Sequence, residues 1–262
     1  MQGISGAVDL SFSVSGEDVS SSWIGTVFAS CRSSFISERC ILGSNPPDKF
    51  CFVSSRSGLA IAADAELHNR TQLLSQIFSC DLPSVSSDAA LILGAYEKWG
   101  EDCPGFLLGE FSFVIWDAAN KRLFCCRDHL GTRPFFYWTK GTRIAFSTDL
   151  LWLVRLPGVG RELNRGRLAA WAKFAETTGK SQEETFHKGV LSLPAATSLT
   201  FEDGKFTKRS YWAPENASVY VPSKDADAFE SLRELLFDAV ECRMRGKTRV
   251  AAFLSGGLDS SA

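Results

Sequence analysis

Short apolar runs alternate with polar punctuation over most of the chain. "SFSV" (11–14), "GLAIAAD" (58–64), "FSFVIWD" (111–117), "RLFCCRD" (122–128), "RIAFSTD" (143–149) and "ATSLTFED" (196–203) are apolar or alternating segments bounded by turn residues. Each predicts a β-strand. The third and fourth are separated by Asp117–Lys121, a polar loop that predicts a hairpin. Two stretches follow the helical period instead. In "SDAALILGAYEKWG" (87–100), Leu91, Ile92, Ala95, Tyr96 and Trp99 fall on one face, with Asp88 or Ser87 to cap the start and Gly100 to end it. "GRLAAWAKFAE" (166–176) repeats the pattern with Leu168, Trp171, Ala172 and Ala175. Runs of strands separated by helices predict an α+β domain of stacked antiparallel sheets with helices on the outer faces.

The pattern changes after Trp212. Residues 213–224 hold Pro214, Asn216 and Pro222 and predict a linker between a domain at 1–212 and a second one at 225–262. Asp227 with Glu230 resembles a capping box, and Phe229, Leu232, Leu236 and Val240 form an apolar stripe behind it. "RVAAFL" (249–254) then predicts a buried strand, followed by the glycine-rich loop "SGGLDSS" (255–261). Helix, strand and glycine loop are the opening of an α/β nucleotide-binding domain. One strand makes no parallel sheet, so the expectation is a domain truncated at Ala262.

Composition narrows the function classes. The 262 residues carry a net charge of −2, which disfavours a non-specific nucleic-acid binder. No run approaches the roughly 18 apolar residues of a membrane span. The start "MQGISGAVDLSFSV" lacks the basic and apolar regions of a signal peptide. Eight cysteines, none in a C-x-x-C pair, read as buried thiols of a cytoplasmic protein. The three histidines are too far apart in sequence to suggest a metal cluster.

The candidate chemistry begins at the glycine loop. Gly256 and Gly257 let backbone N–H groups approach a ligand, Ser255, Ser260 and Ser261 add hydroxyl donors, and Asp259 suits a Mg²⁺ that bridges phosphates. The other reading is a polar turn between strand and helix. "FLSGGLDSS" (253–261) resembles the pyrophosphate loop of the asparagine synthetase family. The resemblance implies ATP and Mg²⁺ as cofactors, with Leu254, Ser255, Gly256, Gly257, Leu258, Asp259, Ser260 and Ser261 as the ATP and pyrophosphate site and Asp259 as metal ligand. It implies a carboxylate activated as acyl-adenylate and then captured by an amine.

Upstream segments agree in order. "DAELHNR" (64–70) is similar to the Asn-Gly-Glu stretch of class II glutamine amidotransferase domains. "LLGEFSFVIWDAANKRLFCCRDHLGTRPFFYW" (107–138), "FHKGVLSLPAATSLTF" (186–201) and "YW" (211–212) resemble other segments of that domain and its exit. The implied fold is an Ntn-hydrolase-like domain followed by the truncated start of an α/β adenine-nucleotide hydrolase-like domain.

The resemblance also exposes a loss. Active domains of this class place Cys after the initiator Met, with the freed α-amine as base. Here Gln2 stands in that place, and an amide is no nucleophile. Cys31 is the remote substitute. Asp64 and Ala65 replace the family's Asn and Gly, while Glu66 and Asp88 remain as remnants of a glutamine pocket. Structural readings compete for both: Asp88 as a helix cap, Glu66 bonded to backbone. In "CRDHLGTRP" (126–134), Arg127, Asp128 and Arg133 around Gly131 look like an active site, but the favoured reading is a tight turn held by an Asp and an ion pair.

The expectation is an ATP-dependent amide-forming synthetase with a silent glutaminase-like domain, in a piece that is itself inactive. Loss of the nucleophile resembles the β-lactam synthetases and the lasso-peptide cyclases, with the latter favoured. The partners expected are a small-molecule or peptide carboxylate, with a partner protein or homodimer open, and neither nucleic acid nor membrane. An ammonia-dependent asparagine synthetase and a non-catalytic module that binds a partner synthetase or peptide are the alternatives.

Overall fold

The computed structural model describes residues 3–10, 33–37, 39–45, 51–53, 57–77, 87–174, 183–216, 225–245, 248–253 and 255–257. The chain divides into two compact units, Met1–Asn216 and Ala217–Ala262. Among the described residues, no helix is long and apolar enough to cross a membrane.

Unit 1 holds two antiparallel sheets. The first joins β1 (Gly3–Asp9), β2 (Ser33–Ile36), β3 (Cys40–Asn45), β8 (Phe136–Lys140), β9 (Arg143–Ser147) and β10 (Leu191–Ser192), in the order β10-β8-β9-β1-β3-β2. The second joins β4 (Cys51–Val53), β5 (Ala60–Leu67), β6 (Gly109–Asp117), β7 (Arg122–Arg127), β11 (Thr197–Glu202) and β12 (Lys205–Ser210), in the order β12-β11-β7-β6-β5-β4. The hairpin predicted across Asp117–Lys121 is β6–β7, with the Asn120 N–H bonded to the Asp117 carboxylate at 3.0 Å.

Strand alternation sorts the side chains into layers. Ile4 and Val8 of β1, Ala60 and Ala62 of β5, Val114 and Trp116 of β6 and Leu123 and Cys125 of β7 fill the space between the sheets. Ile61, Ala63, Phe111, Phe113, Ile115, Phe124 and Cys126 point the other way. They pack under α1 (Arg70–Ile77) and α2 (Asp88–Trp99), with Cys103 and Leu107 beside them. A third cluster joins Ala7, Trp138 and Ala145 to Leu153 and Val154 of α3 (Leu150–Arg155), on the outer face of the first sheet. Stacked antiparallel sheets between outer helices are the architecture expected for residues 1–212.

The structure decides between the two caps offered for α2. Ser87 is the N-cap and accepts the Ala90 N–H at 3.3 Å, while Gly100 ends the helix at φ +59. Asp88 does not cap, because its carboxylate is drawn to Arg70 and to the Leu67 N–H.

Other expectations need correction. The helix over 166–176 is α4 (Arg165–Ala172), and its stripe is not buried: Leu168 is half-buried, Ala172 is exposed and Trp171 is 68% exposed, while Ala175 lies outside the described residues. The helix is short, and Trp171 stands edge-on to Phe186, at 6.1 Å. In unit 2, α5 (Asp225–Met244) starts two residues before the predicted cap, so Asp227 lies in its first turn, where acidic side chains suit the helix dipole. The segment 249–253 is not a strand, and Phe253 is 98% exposed, because a strand needs a ladder partner and none is found among the described residues. The predicted strand at 11–14 and most of the predicted linker lie outside the described residues.

Candidate functional site

One end of the space between the sheets is polar. Along the inner face of β5, Ala60 and Ala62 give way to Asp64 and Glu66. Register carries the change across to β6, where Asp64 faces Ser112 and Glu66 faces Glu110. Ser112 faces Arg127 of β7 in turn. Arg133, from the turn that follows β7, closes the group. Its guanidinium lies 3.7 Å from Asp64, 3.7 Å from Glu66 and 3.6 Å from Glu110. Three carboxylates thus share one cation, all partly buried, and their mutual repulsion is screened less than in open water. The Arg133 Nε is buried and finds no hydrogen-bond partner among the described residues.

The turn presenting Arg133 is built by its neighbours. The Asp128 carboxylate accepts the N–H groups of Leu130 (3.1 Å), Thr132 (2.9 Å) and Arg133 (2.9 Å). Arg127 donates to the carbonyls of Gly131 (2.6 Å), Arg133 (2.7 Å) and Leu193 (2.7 Å). Burial lowers the Arg127 pKa, an effect that Asp128 opposes. The reading of a tight turn held by an Asp therefore holds. The ion pairs belong to Arg133 and the facing sheet.

The start of β1 opens at the same end. Ser5 pairs with Ser147 and Ser147 with Phe136, so β1 and β8 begin where β9 ends. β7 runs into β8 through 128–135, and β1 lies against β5. Gly3 adopts φ +147, and a Cβ there would come within 2.0 Å of the Thr148 Oγ1. Ile4 is gripped by Thr148, whose Oγ1 accepts the Ile4 N–H at 3.0 Å. Gln2, the residue before this grip, lies outside the described residues.

Of the predicted pocket remnants, the structure brings Asp64 and Glu66 together. Ala65 pairs with Phe111 and packs toward the outer helices. Asp88 accepts the Leu67 N–H at 3.1 Å and pairs with Arg70, tying the end of β5 to α1. Glu66, expected to bond backbone, reaches Arg133. Glu110 and Ser112 were not anticipated. Period-two alternation from Val114 places both on its face, and the β5–β6 register sets them opposite Glu66 and Asp64.

Of the cysteines whose side chains are described, Cys40, Cys103, Cys125 and Cys126 are buried and Cys242 is half-buried. Burial pushes the thiols of Cys103, Cys125 and Cys126 well up, away from the reactive thiolate. Cys31 lies outside the described residues.

In unit 2 the described part of the glycine loop is 255–257. Gly256 has φ +78 and nothing within 4 Å of where a Cβ would stand, and the Gly257 N–H lies 3.4 Å from the Ser255 Oγ. The described turn is exposed. Leu254, Leu258, Asp259, Ser260 and Ser261 lie outside the described residues. Among the described residues no cluster of His, Cys, Asp and Glu is placed to hold a metal.

Comparison with known proteins matches both units. A glutamine amidotransferase domain model matches residues 16–212, and an asparagine synthase model matches 231–262. Asparagine synthetase 3 (glutamine-hydrolysing) of Bacillus subtilis is 32% identical over 68% of this chain and 28% of its own. A provisionally named asparagine synthetase 2 (glutamine-hydrolysing) of Methanocaldococcus jannaschii is 32% identical over 79% of this chain and 39% of its own. The chain thus spans well under half the length of these curated relatives. Among solved structures, the glutamine phosphoribosylpyrophosphate amidotransferase of B. subtilis, complexed with ADP and GMP, superimposes with a TM-score of 0.50. That match covers 80% of this chain and 49% of the other at 12% identity, so it concerns the fold alone.

Proposed function

Since the chain belongs to the asparagine synthetase family and carries its glutamine amidotransferase domain, we propose that it serves an ATP-dependent synthetase whose glutaminase half is silent. The whole protein activates a carboxylate as acyl-adenylate and joins it to an amine. Ser255, Gly256 and Gly257, with Leu254, Leu258, Asp259, Ser260 and Ser261, hold the pyrophosphate and its Mg²⁺. Bound ATP supplies the leaving group. The chain's own contribution is a row of backbone N–H groups and hydroxyls that orient it.

The observation that carries the silent half is the charge on the β5 ledge. Splitting an amide builds negative charge on its carbonyl oxygen, and a competent site aims N–H donors there. An Asn at position 64 would offer such a donor. Asp64 offers only lone pairs and a negative charge, with Glu66 and Glu110 around the same arginine. Gln2, just before the grip on Gly3 and Ile4, adds an amide where a thiol is needed. A synthetase without its own ammonia source suits an amine already present in the substrate. This favours a lasso-peptide cyclase-like reaction over ammonia-dependent asparagine synthesis.

Two assays on the full-length gene product test this. Glutamate release from glutamine is expected at background level, and pyrophosphate release is expected with ATP, Mg²⁺ and a peptide carrying both carboxylate and amine. Glutamate release abolished by thiol alkylation would sink the silent-glutaminase reading. Pyrophosphate release with aspartate and ammonia alone would return the protein to asparagine synthesis. No pyrophosphate release with any carboxylate leaves a binding module.

A further inference from the structure

The turn that presents Arg133 is fastened at its far side to the residues where the second sheet ends. The Asp128 carbonyl accepts the N–H groups of Gly131 (3.1 Å) and Ala196 (2.8 Å). The Ala196 carbonyl accepts the Tyr211 N–H at 2.9 Å, and the Tyr211 hydroxyl donates to the Arg127 carbonyl at 2.7 Å. His129, on the turn itself, stands edge-on to Tyr211 (5.2 Å) and Trp212 (5.4 Å), with Phe111 of β6 at 6.2 Å. Ala196 joins the two sides and is strained. It is buried, and its φ of +50 is one that a residue with a Cβ rarely adopts. Such a conformation persists only where its surroundings hold it, and here the hydrogen bonds to Asp128 and Tyr211 hold both of its backbone groups.

We propose that His129, Tyr211 and Ala196 form a coupling device that locks the Arg133 turn to Tyr211 and Trp212, so that the two segments open and close as one. A change in the carboxylate cluster that moves Arg133 is then delivered to the residues through which unit 1 hands on the chain. The reverse also follows, since coupling between two sites is reciprocal. The proposal does not depend on the chemistry of either unit. It rests on one contiguous chain of bonds: Arg133 N–H to the Asp128 carboxylate, Asp128 carbonyl to Ala196, Ala196 carbonyl to Tyr211, and the Tyr211 ring to His129.

Amide-resolved hydrogen exchange on the full-length protein tests it. In the wild type, the amides of Leu130, Thr132 and Arg133 should share one opening constant with those of Ala196 and Tyr211. His129→Ala, Tyr211→Phe and Arg133→Gln should each speed both sets together, by roughly tenfold. Trp171→Ala, on the exposed α4, should move neither. Tyr211→Phe keeps the ring and removes one hydroxyl, so it reads the coupling even if His129→Ala unfolds the domain. The device is overturned if Tyr211→Phe leaves the turn amides unchanged, or if Arg133→Gln leaves the Tyr211 amide unchanged. Separate opening constants in the wild type overturn it as well.

Discussion

In α2, a helix of 12 residues, Leu91, Ile92, Ala95 and Tyr96 are all buried against the second sheet. In α5, a helix of 20 residues with an equally clear stripe, Phe229 is 73% exposed and Leu232, Leu236 and Val240 are more than half exposed. Within its own unit, α2 has a sheet opposite it, and the described residues of unit 2 include no strand to cover α5. A stripe records what a helix is able to bury, and a sheet or second helix decides whether it does. The same contrast separates β7, which has paired strands on both sides, from 249–253, which is exposed and pairs with no strand among the described residues.

The largest effect should come from removing a side chain that has such a partner. Phe113 is fully buried and touches the rings of Phe111 and Phe124 at centroid distances of 5.7 and 6.0 Å. Phe113→Ala is expected to cost about 3–5 kcal/mol. Leu236→Ala should change stability by less than about 0.5 kcal/mol. Urea denaturation of the 262-residue chain measures both. A Leu236 cost approaching that of Phe113 would break the comparison, because α5 would then be packed in solution.

Next comes backbone packing. A Cβ at Gly6 of β1 would lie 2.3 Å from the Ile41 carbonyl oxygen and 2.5 Å from the Phe146 ring. Gly6→Ala forces the sheet apart and should cost about 1–3 kcal/mol. Gly256→Ala meets no neighbouring atom among the described residues and is strained by its positive φ, so it should perturb local order without lowering the melting point of unit 1. Equal losses in the two variants would mean that the loop at 256 is part of a packed core.

Gly6 also shows why part of the fold was hidden in the sequence. "GISGAVD" looks like a loop because two glycines interrupt it, yet close approach to β3 and Thr148 requires both. β6 and β7 were legible because aromatic and branched residues fill both faces around a short polar loop. β12 was hidden for the opposite reason. At the sheet edge with most of its side chains exposed, "KFTKRS" has little need of apolar residues. The site divides in the same way. Asp64 and Glu66 announce themselves as charges at the end of an apolar strand. Glu110 becomes a partner only through the register of β5 on β6, and Arg133 only through a turn whose shape depends on Asp128.

Helix capping gives a smaller contrast. Ser87→Ala removes the acceptor for the Ala90 N–H and should destabilise unit 1 by about 1 kcal/mol. Asp227 lies inside the first turn of α5, so Asp227→Ala should cost no more than a few tenths of a kcal/mol through the lost dipole interaction. Thermal melts of the two variants sharpen the boundary. A full capping loss at Asp227 would move the start of α5 to the position that the sequence pattern implied.

The smallest expected effect is a pH dependence at His129. Half-buried among Phe111, Tyr211 and Trp212, its imidazole is held below the ordinary value of 6.5 chiefly by loss of water, with Asp128 pulling the other way. Tyr211 stays neutral, its pKa pushed up by burial, and adds no charge. The unfolded chain therefore binds this proton more readily than the folded one. The contribution to stability is complete above the unfolded value and shrinks as pH falls toward the folded value. His129→Phe keeps an aromatic ring and removes the titration. The stability of the wild type relative to this variant should be constant well above the ordinary imidazole value of about 6.5 and decline as pH falls below it. If acidification instead favours the wild type, the ring faces are stabilising the imidazolium more than burial disfavours it. His129 would then tighten the Arg133 turn at low pH, where loss of water alone predicts that it loosens.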